Sequence, residues 1–197
     1  MIAHRKNTGF SMIEVLITIV ILMIGLLGLA GLQTKALTAQ MEAYQRSQAL
    51  ILLKDMASRI EANRINADHY LTYGTPRGTG FNSSAVLDCS GLAGSNLDLC
   101  EWHNALLGAA ETQSGANVGA MIGARGCITR TVALATGVPA QYLIAVAWQG
   151  LNSTAAPSTT VAQPITCGTG QYKDTTGTVN EALRRVVALP VNIAYLL

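Results

Sequence analysis

A single acidic side chain interrupts the most apolar stretch of the chain. From Phe10 to Leu32 every residue is apolar, small or hydroxylated except Glu14. A carboxylate in the middle of a membrane span costs about 2.5–3.5 kcal/mol on insertion scales, and less near an end. Such a group either reaches the membrane interface or meets a cation from another molecule. Because charges within membrane spans are functional by default, we favour the second interpretation for Glu14.

The four cysteines form a second set of chemically reactive residues, and all of them follow the apolar stretch: Cys89, Cys100, Cys127 and Cys167. An even number of cysteines in an oxidising compartment indicates two disulfides, with three possible connectivities. We predict the pair Cys89–Cys100, which would close a short turn-rich loop, and the pair Cys127–Cys167, which would hold down a longer connection. The spacing lacks C-x-x-C and zinc-finger patterns, so the sequence predicts no metal and no cofactor.

No pattern typical of an enzyme is present. The three histidines are His4, His69 and His103. Glu101 and His103 are two residues apart and would point to different faces of a helix. The sequence contains neither G-x-S-x-G nor a glycine-rich loop followed by Lys-Ser or Lys-Thr. We therefore predict no catalytic residues.

The apolar stretch is long enough to position these residues across a membrane. At about 1.5 Å per residue, a helix over residues 10–32 crosses a hydrocarbon core of roughly 30 Å. Arg5 and Lys6 precede it, and the positive-inside rule keeps them in the cytoplasm. No A-x-A-like cleavage site follows, because Leu32–Lys35 continues a helix-compatible sequence. We expect the segment to remain on the mature protein.

The helix is predicted to continue beyond the membrane, over residues 10–64 in all. Residues 33–64 lack proline and glycine and are rich in good helix formers. Gly25, Gly28 and Gly31 interrupt the apolar half and suit either close helix packing or local loosening. An apolar stripe in the second half predicts packing against the protein's own head: Leu37, Met41, Tyr44, Leu52, Leu53, Met56 and Ile60.

The remaining residues, 65–197, are predicted to form one globular head of the α+β class. Residues 65–124 form a loop region with one short helix from Asp98, its N-cap, to about Ala110. Residues 125–197 form a small antiparallel sheet, against which the second half of the long helix packs, and a disulfide-bound region. The predicted strands are Cys127–Ala133, Gln141–Gln149 and Arg184–Leu189, the last stopped by Pro190.

The charge balance argues against a nucleic-acid partner. Lysine and arginine number 13 against 11 acidic residues. Two of the cations, Arg5 and Lys6, lie in the N-terminal leader, and the remainder shows no basic stripe.

The motif Gly9-Phe10-Ser11-Met12-Ile13-Glu14, placed between a basic leader and an apolar helix, resembles the signature of type IV pilins. The resemblance implies that a prepilin peptidase cleaves between Gly9 and Phe10 on the cytoplasmic side and removes residues 1–9. It also implies N-methylation of Phe10. The carboxylate matching Glu14 pairs, in that family, with the N-terminal amine of a neighbouring subunit.

Residues 21–33 and 56–64 resemble PilV-type minor pilins, also called type IV pilus modification proteins. This implies a role in initiation, assembly or modification of the pilus, and hence in twitching motility and adhesion. The implied partners are the inner membrane, the prepilin peptidase, and other minor pilins and the major pilin through their N-terminal helices. The head would lie in the periplasm before assembly, or outside the cell in the pilus. Two alternatives remain open: a pseudopilin of a type II secretion system, and a membrane-anchored binding module without a filament role.

Overall fold

The computed structural model describes residues 9–109, 112–113, 116–117, 121–133, 135, 138–158 and 165–194. Its α-helices are α1, Met12–Ala62, and α2, Gly94–Leu106, with 3-10 helices at Arg64–Tyr70, Phe81–Ser84 and Glu181–Leu183. Its strands are β1 (Arg77–Gly78), β2 (Thr112–Gln113), β3 (Ala116–Asn117), β4 (Arg125–Val132), β5 (Ala140–Gln149) and β6 (Arg184–Ile193). The chain divides into two compact units, Met1–Met41 and Glu42–Leu197.

Within the first unit the described chain is the apolar part of α1. The helix contains a window that is long and apolar enough to cross a membrane. Its hydroxyl groups bond to backbone carbonyls of the same helix, as Thr18 does to Val15 (2.8 Å) and Thr34 to Ala30 (3.1 Å). Side-chain hydroxyls satisfied in this way are compatible with a hydrocarbon environment.

The second unit is built on an antiparallel sheet, with β2 and β3 forming a separate small hairpin. The strand order in the main sheet is β1-β4-β5-β6, and every adjacent pair is antiparallel. Together with the long N-terminal helix, this confirms the predicted α+β, pilin-like fold class.

Strand β5 is buried on both faces and divides the core of the second unit in two. Ile144 and Val146 face the main core, which also contains side chains of α1 and α2. Ala145 and Ala147 face a smaller core around Cys167. This alternation follows from the two-residue period of a strand, and it explains why β5 has few polar residues.

One face of the second half of α1 packs into the main core, as the stripe predicted. Leu53, Met56 and Ile60 are buried, and Leu52 packs against the same cluster. Leu37, Met41 and Tyr44 were wrongly included, because each is more than half exposed. The buried residues of α1 are Gln45, Ala49, Leu53, Met56, Ala57 and Ile60.

The helix boundaries differ from the predicted ones. α1 spans Met12–Ala62 rather than residues 10–64. α2 spans Gly94–Leu106 rather than Asp98 to Ala110, so the prediction of Asp98 as N-cap was wrong. Asp98 lies inside the helix, where its carboxylate contacts Arg59. An aspartate favours a helix start through local bonds, and here a tertiary ion pair uses the same side chain instead.

Strand β6 continues through Pro190 to Ile193, although we predicted that Pro190 would stop it. Pro190 lies opposite Leu143, next to the pair of Leu189 with Ile144. Ile144 pairs with Ile128 of β4. The N–H of Ile128 donates to the Thr72 hydroxyl and its C=O accepts from the Thr72 N–H, so both groups point away from β5. The backbone groups of Ile144 therefore point to the other side and bond to Leu189. Since hydrogen-bonded and non-hydrogen-bonded pairs alternate along antiparallel strands, the next pair, Leu143 with Pro190, is not hydrogen-bonded, and the ring nitrogen of Pro190 faces away from β5. At the sheet edge a missing N–H is tolerated.

Strand β4 begins at Arg125, two residues earlier than predicted, and strand β5 begins at Ala140, one residue earlier.

Gly126 near the start of β4 lies against α2. A Cβ at this position would be 2.7 Å from Leu106 Cδ1 and would also clash with the ring of Trp102. The glycine therefore lets α2 approach the sheet closely.

Candidate membrane-anchoring and assembly site

The predicted processing site lies just before the helix. Gly9 and Phe10 are not helical, and α1 begins at Met12. The side chain of Phe10 is 83% exposed. A non-helical, exposed segment is the kind of chain that a peptidase can bind. Residues 1–8 of the predicted leader, including Arg5 and Lys6, lie outside the described residues.

Glu14 occupies the first turn of α1. Its backbone N–H donates to the carbonyl of Ser11 at 3.0 Å, and its side chain is exposed. The positive end of the helix dipole favours a carboxylate in this turn. Within the described part of the chain, the carboxylate makes no hydrogen bond or ion pair. The described residues therefore leave its capacity to accept bonds unused.

None of the described residues packs against the three glycines of the apolar helix. A Cβ placed at Gly25, Gly28 or Gly31 would meet nothing within 4 Å. Since glycine lowers helix stability by roughly 1 kcal/mol relative to alanine, their presence needs a reason outside the single chain or in helix flexibility.

In the second unit, Arg59 joins α1 to α2. Its guanidinium lies 3.0 Å from Asp55, 2.9 Å from Asp98 and 2.6 Å from Glu101. Asp98 also accepts a hydrogen bond from the hydroxyl of Tyr70. Burial, together with this bond to Asp98, raises the pKa of Tyr70 to about 12. The i,i+4 spacing of Asp55 and Arg59 was visible in the sequence, but the longer-range partners had no sequence signal.

Two disulfides brace the head at different places. Cys89 is bonded to Cys100, and Cys127 to Cys167, each pair with Cα atoms 5.8 Å apart. These are the pairings expected from the sequence. The second bond lies beside the buried Arg184, whose guanidinium donates to the carbonyl of Cys167 at 3.3 Å and pairs with Glu181 at 2.5 Å. Sequence reasoning did not identify Arg184, because its charge gives no local sign of burial.

His103 on α2 is fully buried and bonded through both ring nitrogens. Nδ1 accepts from the N–H of Gly78 at 2.9 Å. Nε2 therefore carries the proton and donates to the carbonyl of Ala85 at 2.8 Å. Burial lowers the pKa of His103 below its usual value of 6.5, and the charge of Arg77 acts in the same direction. His103 thus holds the segment 78–85 against α2 in its neutral form.

We expect the free energy of unfolding to fall as the pH drops below about 6.5. The unfolded histidine takes up a proton that the folded state resists, so this contribution is fully present above pH 6.5 and declines below it. Urea unfolding of the full chain in detergent between pH 7.5 and 5 measures the effect. His103→Gln, which does not titrate, serves as control. Parallel pH profiles for wild type and variant would contradict the assignment.

The residues considered for catalysis do not converge. Glu101 contacts Arg59, whereas His103 is committed to backbone groups. Among the described residues there is no group of three or more His, Cys, Asp or Glu side chains that could hold a metal ion. The described residues instead form a long helix whose apolar part carries one unpaired carboxylate, Glu14, and a head braced by two disulfides.

Two family models match adjoining parts of this chain. The model described as the prokaryotic N-terminal methylation motif matches residues 4–30. The model described as type IV pilin Tt1218 matches residues 31–99. No curated protein and no solved structure matches the chain. The two matches confirm the family resemblance: over residues 4–99 the chain is similar to type IV pilins.

The two matches bear on the site in three ways. The methylation motif indicates a substrate of prepilin peptidase and a membrane-anchored pilin. The apolar part of α1 fits anchoring in the inner membrane. The family also indicates a structural, non-enzymatic role. Neither model separates minor from major pilins, or pilus from pseudopilus.

Proposed function

We propose that this pilin is a minor pilin that takes part in the initiation, assembly or modification of a type IV pilus. The observation that carries the proposal is Glu14: its carboxylate lies in the first turn of an exposed apolar helix and has no partner in the described chain. The minor-pilin assignment draws on the resemblance of residues 21–33 and 56–64 to PilV-type proteins and on the four cysteines.

In this proposal the N-terminal residues act in sequence. Prepilin peptidase cleaves between Gly9 and Phe10, and the new amine of Phe10 is methylated. Residues 10–32 then hold the protein in the inner membrane with residues 65–197 in the periplasm. Gly25, Gly28 and Gly31 allow close approach of neighbouring helices, or local loosening of α1, when subunits enter the filament.

The electrostatic role of Glu14 follows from its surroundings. In a bundle of apolar helices, a neighbour's Phe10 amine and the Glu14 carboxylate attract each other far more strongly than they would in water. The pair also favours one axial register, because the amine meets the carboxylate only at one stagger of the subunits. Other minor pilins and the major pilin are the proposed partners.

Deletion of the protein tests the function. We expect loss or reduction of surface pili and of twitching motility, both restored by the wild-type chain, with type II secretion unchanged. A pseudopilin has the same leader and helix, and for that alternative the deletion would instead impair type II secretion and leave piliation intact. Unchanged piliation, twitching and secretion would favour a membrane-anchored binding module.

Processing is tested separately by intact-mass measurement of the mature protein. We expect a chain that begins at methylated Phe10 and keeps its apolar helix. Gly9→Val is expected to retain the leader, because the bulky side chain hinders cleavage at this bond, and Leu16→Val is the matched control within the helix. A chain beginning after Leu32, or an intact Met1 terminus in a peptidase-competent cell, would disprove the proposed processing.

A further inference from the structure

A cavity of about 250 Å³ lies beside α2 in the second unit. Its walls include four apolar side chains, Phe81, Leu87, Leu92 and Leu99, and two charged ones, Arg77 and Asp88. An apolar pocket with a few polar groups is the usual form of a small-molecule site. The volume suits a ligand smaller than a typical drug.

Arg77 is the unusual group in this cavity. Its guanidinium carbon lies 4.1 Å from the centroid of the Phe81 ring. Its Nε is buried and has no hydrogen-bond partner. Within the described part of the chain, Arg77 makes no hydrogen bond or ion pair at all. Partial burial of an unpaired cation is unfavourable, and burial accordingly lowers the pKa of Arg77.

The other arginines of the described second unit each have an acceptor or are exposed to water, although the Nε of Arg125 is also buried without a partner. Five of them donate to at least one oxygen atom: Arg59, Arg125, Arg130, Arg184 and Arg185. Arg46 and Arg64 are exposed, so water can solvate them. Arg77 is only partly exposed, its Nε is buried, and it lacks an acceptor among the described residues. A buried donor that the protein leaves unsatisfied requires an explanation, and a bound anion provides one.

We propose that this cavity binds a small monocarboxylate with an apolar body, whose carboxylate is held by the Arg77 guanidinium and whose body contacts Phe81, Leu92 and Leu99. The planar fork of a guanidinium matches a carboxylate in a bidentate geometry. Asp88 restricts the choice further. One of its oxygens accepts from the Ser90 N–H at 2.9 Å, and its negative charge on the same wall disfavours a second acidic group on the ligand.

Titration calorimetry on the full-length protein in lipid nanodiscs tests the proposal, with 3-phenylpropanoate as the probe. We expect saturable binding of one molecule per chain. The neutral alcohol 3-phenylpropanol and the dianion succinate are expected to bind at least about tenfold more weakly, because each lacks one of the two features that the cavity recognises. Empty nanodiscs correct for partition of the probe into lipid.

Variants locate the binding in the cavity. Arg77→Gln is expected to weaken binding of the probe about tenfold or more, and Arg77→Lys to weaken it less. Leu92 is 41% exposed at the cavity wall, so Leu92→Glu should preserve the fold while repelling the carboxylate. Arg64→Gln removes an exposed arginine outside the cavity and should change nothing. Circular dichroism checks each fold.

Three results would overturn the proposal. The first is the absence of saturable binding to the folded wild-type chain. The second is equal affinity for the acid and the alcohol. The third is wild-type affinity in Leu92→Glu or in a folded Arg77→Gln. If Arg77→Gln does not fold, Leu92→Glu still decides the question, because its substituted side chain is partly exposed.

Discussion

Replacing Glu14 by valine is expected to exclude the protein from pili without affecting membrane insertion or leader cleavage. The carboxylate has no partner in the described chain, so the isolated subunit loses no favourable contact. In the proposed filament, the variant leaves the neighbour's Phe10 amine unpaired in an apolar interior. Breaking a buried ion pair in this way costs about 3–5 kcal/mol. A penalty of this size at each junction is sufficient to prevent stable incorporation.

Fractionation of sheared pili measures incorporation of the variant. A blot of the membrane fraction measures its insertion and the cleavage of its leader. Glu14→Gln keeps the size and hydrogen-bonding shape of the side chain but removes its charge, and we expect it to fail in the same way. Leu16→Val, a conservative change two residues away, should enter pili normally. Normal incorporation of Glu14→Val would show that this carboxylate has no assembly role.

Removing the Cys127–Cys167 disulfide is expected to destabilise the head more than removing Cys89–Cys100. The two bonds span sequence separations of 40 and 11 residues. On the chain-entropy model the corresponding stabilisations are about 4 and about 3 kcal/mol. Each bond joins one buried cysteine, Cys167 or Cys100, to one that is only partly buried. Burial therefore does not separate the two bonds, and loop closure sets the expected order.

The paired variants Cys127→Ser/Cys167→Ser and Cys89→Ser/Cys100→Ser provide a matched comparison, because each replaces two thiols by two hydroxyls. Urea unfolding of the full chain in detergent under oxidising conditions gives both free energies. We expect the first variant to lose more stability and to unfold at a lower urea concentration. The opposite order would show that local packing around Cys100 outweighs loop closure.

The features that the sequence alone determined are those encoded by neighbouring residues. Gly9, Phe10 and Glu14 lie within six consecutive residues, so the resemblance to type IV pilins needed no tertiary information. The apolar run and the absence of proline and glycine over residues 33–64 predicted α1 to within two residues at each end. Strand β5 was equally clear, because its run of β-branched and aromatic residues ends at Gly150.

Tertiary structure decided the features that depend on which residues meet. Asp98 is a residue type that often caps a helix, yet it lies inside α2, where it pairs with Arg59 and accepts a hydrogen bond from Tyr70. Pro190 is of a type that usually ends a strand, yet β6 continues through it. The bonds between Thr72 and Ile128 fix which residues of β5 bond to β6, and at Pro190 no N–H toward β5 is needed. Both outcomes depend on partners distant in the sequence, and local propensities of about 1 kcal/mol yield to such contacts.

The lack of an acceptor for Arg77 and the burial of His103 were also decided by tertiary structure. In the sequence, Arg77 is one of 13 basic residues and has no distinguishing neighbour. Its lack of an acceptor follows from the packing of the segment 77–85 against α2, which His103 maintains through Gly78 and Ala85. Local spacing can place a charge on an element, but only the folded chain determines whether that charge meets a partner, water or neither, because desolvation depends on everything that packs around it.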